Sequence, residues 1–448
     1  MGAEISNKPT NAAHDAQQSG HSSRLARIWG RMPEPAAIIT AAVIAGSLAG
    51  CASFLLKSGI SRLGHLLTAH LAGDIWLMLL FPLAGMAMSV AYQKLAGEDL
   101  SRGTDQLKER IGSGRFSMKR SLMWNPLVAC LITVGFGGSA GSEGPSAVSG
   151  AAIGSRAAKW FGLSPRAMRI LLGCGAGAGI AGIFKSPVGG MLFTIEVLRM
   201  ELSATAMTAL VSSCLAAFSS AYILSGFTWD VGFAGRGTFD PSHIGWMALL
   251  GLVCGIYSLY YNKTLTLTAK FLSRISNRWK RAAIAGTALS LMVFLLPPMF
   301  GEGYGVVDII INHLDTPFFG LSPFSHAALN PTVSLTLIAA ILLLKGMAVG
   351  AVNYGGGVAG QFAPTLFAGC LVGYLFATTA NACGVSLPTA NFALMGMAAV
   401  MAGTIKAPMM AVFIAAEISD SYSFILGFIL VSVIAYIITA RPFRLIKH

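Results

Sequence analysis

The chain has 448 residues, 54% of them hydrophobic and only 11% charged, and its mean hydropathy is +0.68. That balance excludes an ordinary soluble domain and points to a protein solvated by lipid. The net charge of +13 would also suit a nucleic-acid binder, but no basic domain interleaved with aromatic residues exists, so nucleic acid is excluded as a partner.

In chain order, residues 1–33 are polar, rich in Ser, Asn, Gln, His and Ala, with no apolar core. They read as a cytoplasmic tail ending in a short basic helix around Arg24, Arg27 and Arg31, not as a cleavable signal peptide. Apolar stretches follow at 36–56, 75–95, 204–224, 244–260, 282–300, 333–352, 362–379, 392–405 and 425–440. Several approach the roughly 20 residues that span a bilayer, while others are shorter. Together with 52 Gly and 18 Pro, the uneven lengths predict partial helices that end inside the protein, where irregular backbone lines a cavity. Basic residues gather at 102–120, at 270–281 and in the end segment 441–448. The positive-inside rule places all three, and both termini, in the cytoplasm of a multi-pass inner-membrane protein.

Seven cysteines are scattered through mostly apolar segments without metal-ligand spacing. They read as small core residues rather than a disulfide framework. The eight histidines form no HExxH pair, so neither a metal nor another cofactor is expected. The run Gly177-Ala178-Gly179-Ile180-Ala181-Gly182 fits G-x-G-x-x-G, yet no strand precedes it, and Lys185-Ser186 lacks the glycine frame of a phosphate loop. With no nucleophile–base or paired-carboxylate constellation, an enzyme is not expected.

One carboxylate stands out. Glu143, in Gly141-Ser142-Glu143-Gly144-Pro145, follows an apolar run, and Pro145 suits a first helical turn. An acid at membrane depth is a functional-site hypothesis by default. The helix N-terminus beside it offers N–H groups and a positive dipole end that would otherwise hold an anion. The plainer reading is a helix-capping acid with no transport role.

An internal repeat frames that site. Ala181-Gly182-Ile183-Phe184-Lys185-Ser186-Pro187, leading to Glu196, matches Ala402-Gly403-Thr404-Ile405-Lys406-Ala407-Pro408, leading to Glu417, at a constant offset of 221. Upstream, Gly141 to Pro145 pairs with Gly360-Gln361-Phe362-Ala363-Pro364 at an offset of 219. Two matches in the same order indicate a duplication, with halves at 34–228 and 241–440. Repeats in membrane carriers are usually inverted, with the transported species at their interface and half-helix N-termini aimed at it when it is an anion.

On these motifs the chain resembles the CLC family of chloride channels and chloride/proton exchangers. The carrying elements are G-x-E-G-P at 141–145, G-x-F-x-P at 360–364, the Pro-containing stretch from Lys185 to Glu196, and Gly301-Glu302-Gly303-Tyr304-Gly305. The likeness covers about 34–445. It implies an all-α integral membrane fold, an inverted-repeat bundle of about 18 tilted and partial helices. It also implies a homodimer with one ion pathway per subunit, and chloride as the transported ion.

Carried over residue by residue, the resemblance makes Glu143 the gating glutamate: ionised, it occupies the anion site; protonated or displaced, it lets chloride through. Gly141, Ser142 and Gly144, with Gln361 and Phe362 from the second half, would form the anion site; for Phe362 ordinary packing can hold as well. The family's central serine falls on Arg102, or on Ser101 after a one-residue shift, with Arg102 then expected to face the cytoplasmic vestibule. The pore tyrosine falls on Phe443 or Arg444. The inner proton-route glutamate of coupled members falls on Val197, which cannot relay a proton. These departures favour gated or weakly coupled chloride conduction, with chloride/proton exchange as the alternative and protons as its second substrate. A carrier for another ion or solute on an inverted-repeat scaffold is a distant reading. Glu196 reads as part of a structural pair or hydrogen-bond network, as its repeat mate Glu417 suggests, with a place on the proton path as the alternative, and Lys185 and Lys406 either add positive potential or cap local carbonyls.

Overall fold

The computed structural model describes residues 32–69, 75–101, 103–201, 203–228, 239–312 and 318–440. The tail arginines, Arg102, Phe443 and Arg444 lie outside the described residues.

Among the described residues the chain forms sixteen α-helices and no strand. The first eight are α1 (Glu34–Ala69), α2 (Phe81–Ala96), α3 (Gly103–Gly112), α4 (Asn125–Gly135), α5 (Glu143–Trp160), α6 (Pro165–Phe184), α7 (Pro187–Leu192) and α8 (Ala204–Leu224). The second eight are α9 (Ile244–Ser273), α10 (Arg278–Leu295), α11 (Tyr304–Ile311), α12 (Pro331–Gly355), α13 (Phe362–Ala382), α14 (Thr389–Ile405), α15 (Pro408–Ile418) and α16 (Ile425–Ala440). Element for element, the second set repeats the first. Helix α1 packs on α8 as α9 packs on α16, and α5 packs on α6 as α13 packs on α14.

Eight helical spans among the described residues are long and apolar enough to cross a membrane, whereas α4, α14 and α15 are apolar but shorter. Three stretches differ from the pattern read in the sequence, one of them the run at 244–260, which continues as helix to Ser273. The apolar run at 36–56 continues as helix to Ala69, because Lys57, Ser61, Arg62 and His65 face a water-accessible cavity rather than lipid and so do not end the helix. The run at 75–95 is broken into a 3-10 turn, Ile75–Leu79, and then α2, with Pro82 in its first turn.

Close backbone approach holds each half together. A Cβ on Gly150 would collide with the carbonyl of Gly175, and one on Gly154 with that of Leu171, so α5 and α6 touch through their backbones. In the second half Gly369 meets the Gly396 carbonyl and Gly373 the Phe392 carbonyl, joining α13 to α14 in the same way. Lipid offers no hydrophobic drive for helix association, so such small-residue contacts supply packing and dispersion instead.

Four helices begin inside the fold without a side-chain cap of their own: α5, α7, α13 and α15. Their first N–H groups need acceptors, and carboxylates from elsewhere in the chain provide them. Glu417, at the end of α15, accepts from Val188 N–H (3.2 Å) and Gly189 N–H (3.0 Å) at the start of α7, and from the Ser186 hydroxyl. Glu196, in the π-helical turn after α7, accepts from Met409 N–H (3.3 Å) and Met410 N–H (2.8 Å) at the start of α15. The repeat-related acids thus cap each other's helices, a structural pair as the sequence predicted.

Two outcomes are expected. Gly150→Val and Gly369→Val each lower the thermal unfolding midpoint in detergent, by an overpacking cost of about 1–3 kcal/mol or more. Glu417→Ala destabilises by about 2–4 kcal/mol, since it strands buried donors. Glu196→Ala costs less, because Met409 is exposed; equal losses for the two acids would contradict this.

Candidate functional site

The starts of α5 and α13 meet in a single antiparallel bridge. Gly141 N–H donates to the Gly360 carbonyl (3.0 Å), and Gly360 N–H donates to the Gly141 carbonyl (2.5 Å). This bridge turns a repeat in sequence into one site in space. The Glu143 carboxylate lies in the angle so formed, only 1% exposed. A Cβ on Gly141 would strike that carboxylate, and one on Gly360 would lie 2.7 Å from its Oε2. Glycine at both positions is therefore what leaves room for the side chain.

Glu143 Oε1 accepts a hydrogen bond from Ala363 N–H (3.1 Å), the second residue of α13. Its Oε2 has no hydrogen-bond partner. The acid of one half is thus seated on the helix N-terminus of the other through Oε1 alone, whereas Glu417 and Glu196 each engage N–H groups with both oxygens. Bonds to a charged group contribute about 1.5–3 kcal/mol each, so Glu143 is the carboxylate most easily displaced from its seat.

Two cavities flank this centre and share no wall residue. The smaller, about 430 Å³, is lined by Ser101, Gly144, Val197, Gln361 and Phe362 together with Asn353 and Thr404. The structure therefore gathers five of the sequence-selected residues around one space. The larger cavity, about 660 Å³, is walled by Lys57, Arg62, His65, Lys185 and Glu302. Glu143 stands between the two, since Gly144 borders the smaller and Ser142 is bonded to Glu302 in the wall of the larger.

The remaining selected residues have specific local environments. Ser142 donates both its N–H (2.9 Å) and its hydroxyl (2.5 Å) to Glu302 Oε1, so its donors are engaged by a protein carboxylate. Ser101 donates its hydroxyl to Asp99 Oδ1 (2.6 Å), which leaves that proton unavailable to an anion in the adjacent cavity. Phe362 is buried and packs edge-on against Phe193, with ring centroids 5.8 Å apart. Val197 is half-buried in the cavity wall. Lys185 donates to the Thr228 carbonyl (2.6 Å) and lines the larger cavity. Its repeat mate Lys406 is exposed. Lys185 and Lys406 both close their helices in the left-handed conformation, at φ 52° and 63°.

Sequence reasoning missed three contributors. Thr404 Oγ1 and Asn353 Oδ1 border the smaller cavity without a partner inside the protein. Lys345 of α12 is fully buried, its ammonium on Ser139 Oγ (2.8 Å) and 4.4 Å from the Phe367 ring centroid. A lone lysine in an apolar helix was a visible signal, but its target was not. Glu302 was visible in the Gly-Glu-Gly-Tyr-Gly run, but only its contact with Ser142 gives it a place in the site.

A family model described as voltage gated chloride channel matches residues 84–440. Among curated relatives, the chain is 28% identical over 396 residues to a voltage-gated ClC-type chloride channel, ClcB, of Citrobacter koseri, covering 84% of this chain and 87% of that one. It is 25% identical over 434 residues to an H(+)/Cl(-) exchange transporter, ClcA, of Vibrio campbellii, covering 91% and 87% respectively. Among solved structures, a slow cyanobacterial Cl-/H+ antiporter superposes with a TM-score of 0.75 at 21% identity, covering 90% of this chain and 94% of that one. A CLC-type fluoride/proton antiporter gives 0.74 at 20% identity, covering 90% and 95%. With the family match spanning most of the chain, and with the bridged helix starts, the buried acid and the fold in agreement, the chain belongs to the CLC family of voltage gated chloride channels.

Proposed function

We propose that the chain carries chloride across the inner membrane, with Glu143 as its gate. The observation that carries this reading is the seat of Glu143: a carboxylate held on another helix's N–H group, in a site that suits a free anion equally well. Chloride and the carboxylate compete for the same donors. Ionised, Glu143 wins through its tether; protonated, it gives up the charge that holds it, and chloride enters. Around the site Gly141, Gly144, Gln361 and Phe362 supply backbone close to the ion. The unpartnered Thr404 hydroxyl offers the side-chain donor that Ser101 has committed to Asp99.

The basic clusters orient the pathway. Arg278 Nη2 lies 3.5 Å from Asp99 and Lys119 Nζ 3.4 Å from Glu98, which brings both clusters to the end where the Ser101 cavity opens. The positive-inside rule makes that cavity cytoplasmic and the Glu302 cavity external. In this reading the halves at 34–228 and 241–440 share one pathway, and two copies assemble as a homodimer with a pathway in each.

Two couplings to protons fit this site, and each has its own support. Val197 in the inner cavity wall, with Glu196 committed to Met409 and Met410, favours conduction without a fixed proton ratio. Similarity to a ClcA exchange transporter and to solved antiporters favours chloride/proton exchange.

In reconstituted liposomes, chloride efflux is expected to rise as pH falls, and Glu143→Gln to raise it severalfold at neutral pH while flattening that dependence. Unchanged flux in the variant would remove Glu143 from the gate. Proton uptake recorded in the same vesicles decides the coupling: uptake at a fixed ratio under a chloride gradient assigns exchange, and its absence assigns conduction.

A further inference from the structure

The gate glutamate is buried at 1% exposure, yet a second carboxylate reaches it from the water-accessible cavity. Glu302 sits between two glycines in the left-handed region, Gly301 at φ 64° and Gly303 at φ 88°. That tight turn aims its side chain at the start of α5, where Oε1 takes both donors of Ser142, the residue immediately before Glu143. One face of Glu302 borders the 660 Å³ cavity.

We propose that Glu302 is a positioning residue for the Glu143 gate: it fixes the α5 start through Ser142 and, by its own charge, sets how much acid the gate needs to open. This rests on the gating role of Glu143 given above. The charges that bear on Glu302 come from every side of the cavity. Helix α1 brings Lys57, Arg62 and His65, and Lys185 closes α6. The buried Lys345 of α12 and the Cys130 thiol of α4 lie within its electrostatic reach, and Tyr304 follows it in the same wall. Glu143 itself is repelled by Glu302 and attracted by Lys57.

The sign follows from Coulomb's law. A negative Glu302 raises the energy of ionised Glu143 and so favours the protonated, displaced state. Removing that charge while keeping the side chain's shape leaves the ionised carboxylate in its seat over a wider range, so opening demands more acid. Ser139 and Ser142 flank the Gly141 bridge in the chain, and Lys345 and Glu302 hold them from the second half. This pairing allows Glu302 to sit close to the gate without an uncompensated charge in the wall.

The test is chloride efflux from liposomes against pH for wild type, Glu302→Gln, Glu143→Gln and the double variant. Glu302→Gln is expected to lower the pH of half-maximal flux by about one unit, Glu302→Asp to stay near wild type, and the double variant to match Glu143→Gln. A Glu302→Gln profile that overlays wild type overturns the inference, as does a shift that persists when Glu143 is already Gln. If Glu143→Gln alone keeps the wild-type pH dependence, the gating role fails first and this inference falls with it. Glu302→Ser, also neutral, serves with the same expectation where the Gln variant does not assemble.

Discussion

Helices that start inside a membrane protein expose N–H groups to surroundings with no water to satisfy them, and this constraint organises the whole centre of the molecule. Here α5, α7, α13 and α15 all begin in the interior without a cap of their own. Their dipole ends are positive, so carboxylates are the natural partners. Four acids answer: Glu302 at α5, Glu417 at α7, Glu143 at α13 and Glu196 at α15. An otherwise apolar fold thereby carries acids at the helix starts that need them, Glu143 and Glu417 buried and Glu196 and Glu302 half-buried.

The acids differ in how firmly they are held, and in the function proposed above that difference separates scaffold from gate. Glu417 and Glu196 use both oxygens on consecutive N–H groups across the repeat and lock α7 to α15. Glu143 uses one oxygen, with the other unpartnered. It lies between two cavities, and glycines at 141 and 360 leave it room. A gate that leaves its site on demand would need a weak seat, and the proposed role of Glu143 asks of one carboxylate the opposite of what Glu417 and Glu196 provide.

Much of this was legible in the sequence. The repeat offsets of 221 and 219 located the paired helix starts and the paired acids, because the duplication keeps glycine, proline and glutamate in register. The short apolar run at 392–405 indicated a helix below spanning length, α14. Less legible were contacts between residues with no shared pattern. Nothing in the spacing of Glu302 and Ser142, or of Lys345 and Ser139, says that they touch. Ser101 shows the same limit: it borders the smaller cavity, but its proton goes to Asp99, a partner only the folded turn selects.

The sequence by itself determined the membrane class, the duplication and the identity of the exceptional acid, because composition, periodic repetition and an ion in an apolar run are properties of the chain alone. Tertiary structure decided which donors each acid reaches, how many bonds hold it, and which cavity it faces. Those depend on the bridge between Gly141 and Gly360 and on the backbone contacts within each half, which bring residues some 220 positions apart to within hydrogen-bonding distance. Hydrogen-bond strength depends on distance and angle between atoms, and only the folded chain fixes either.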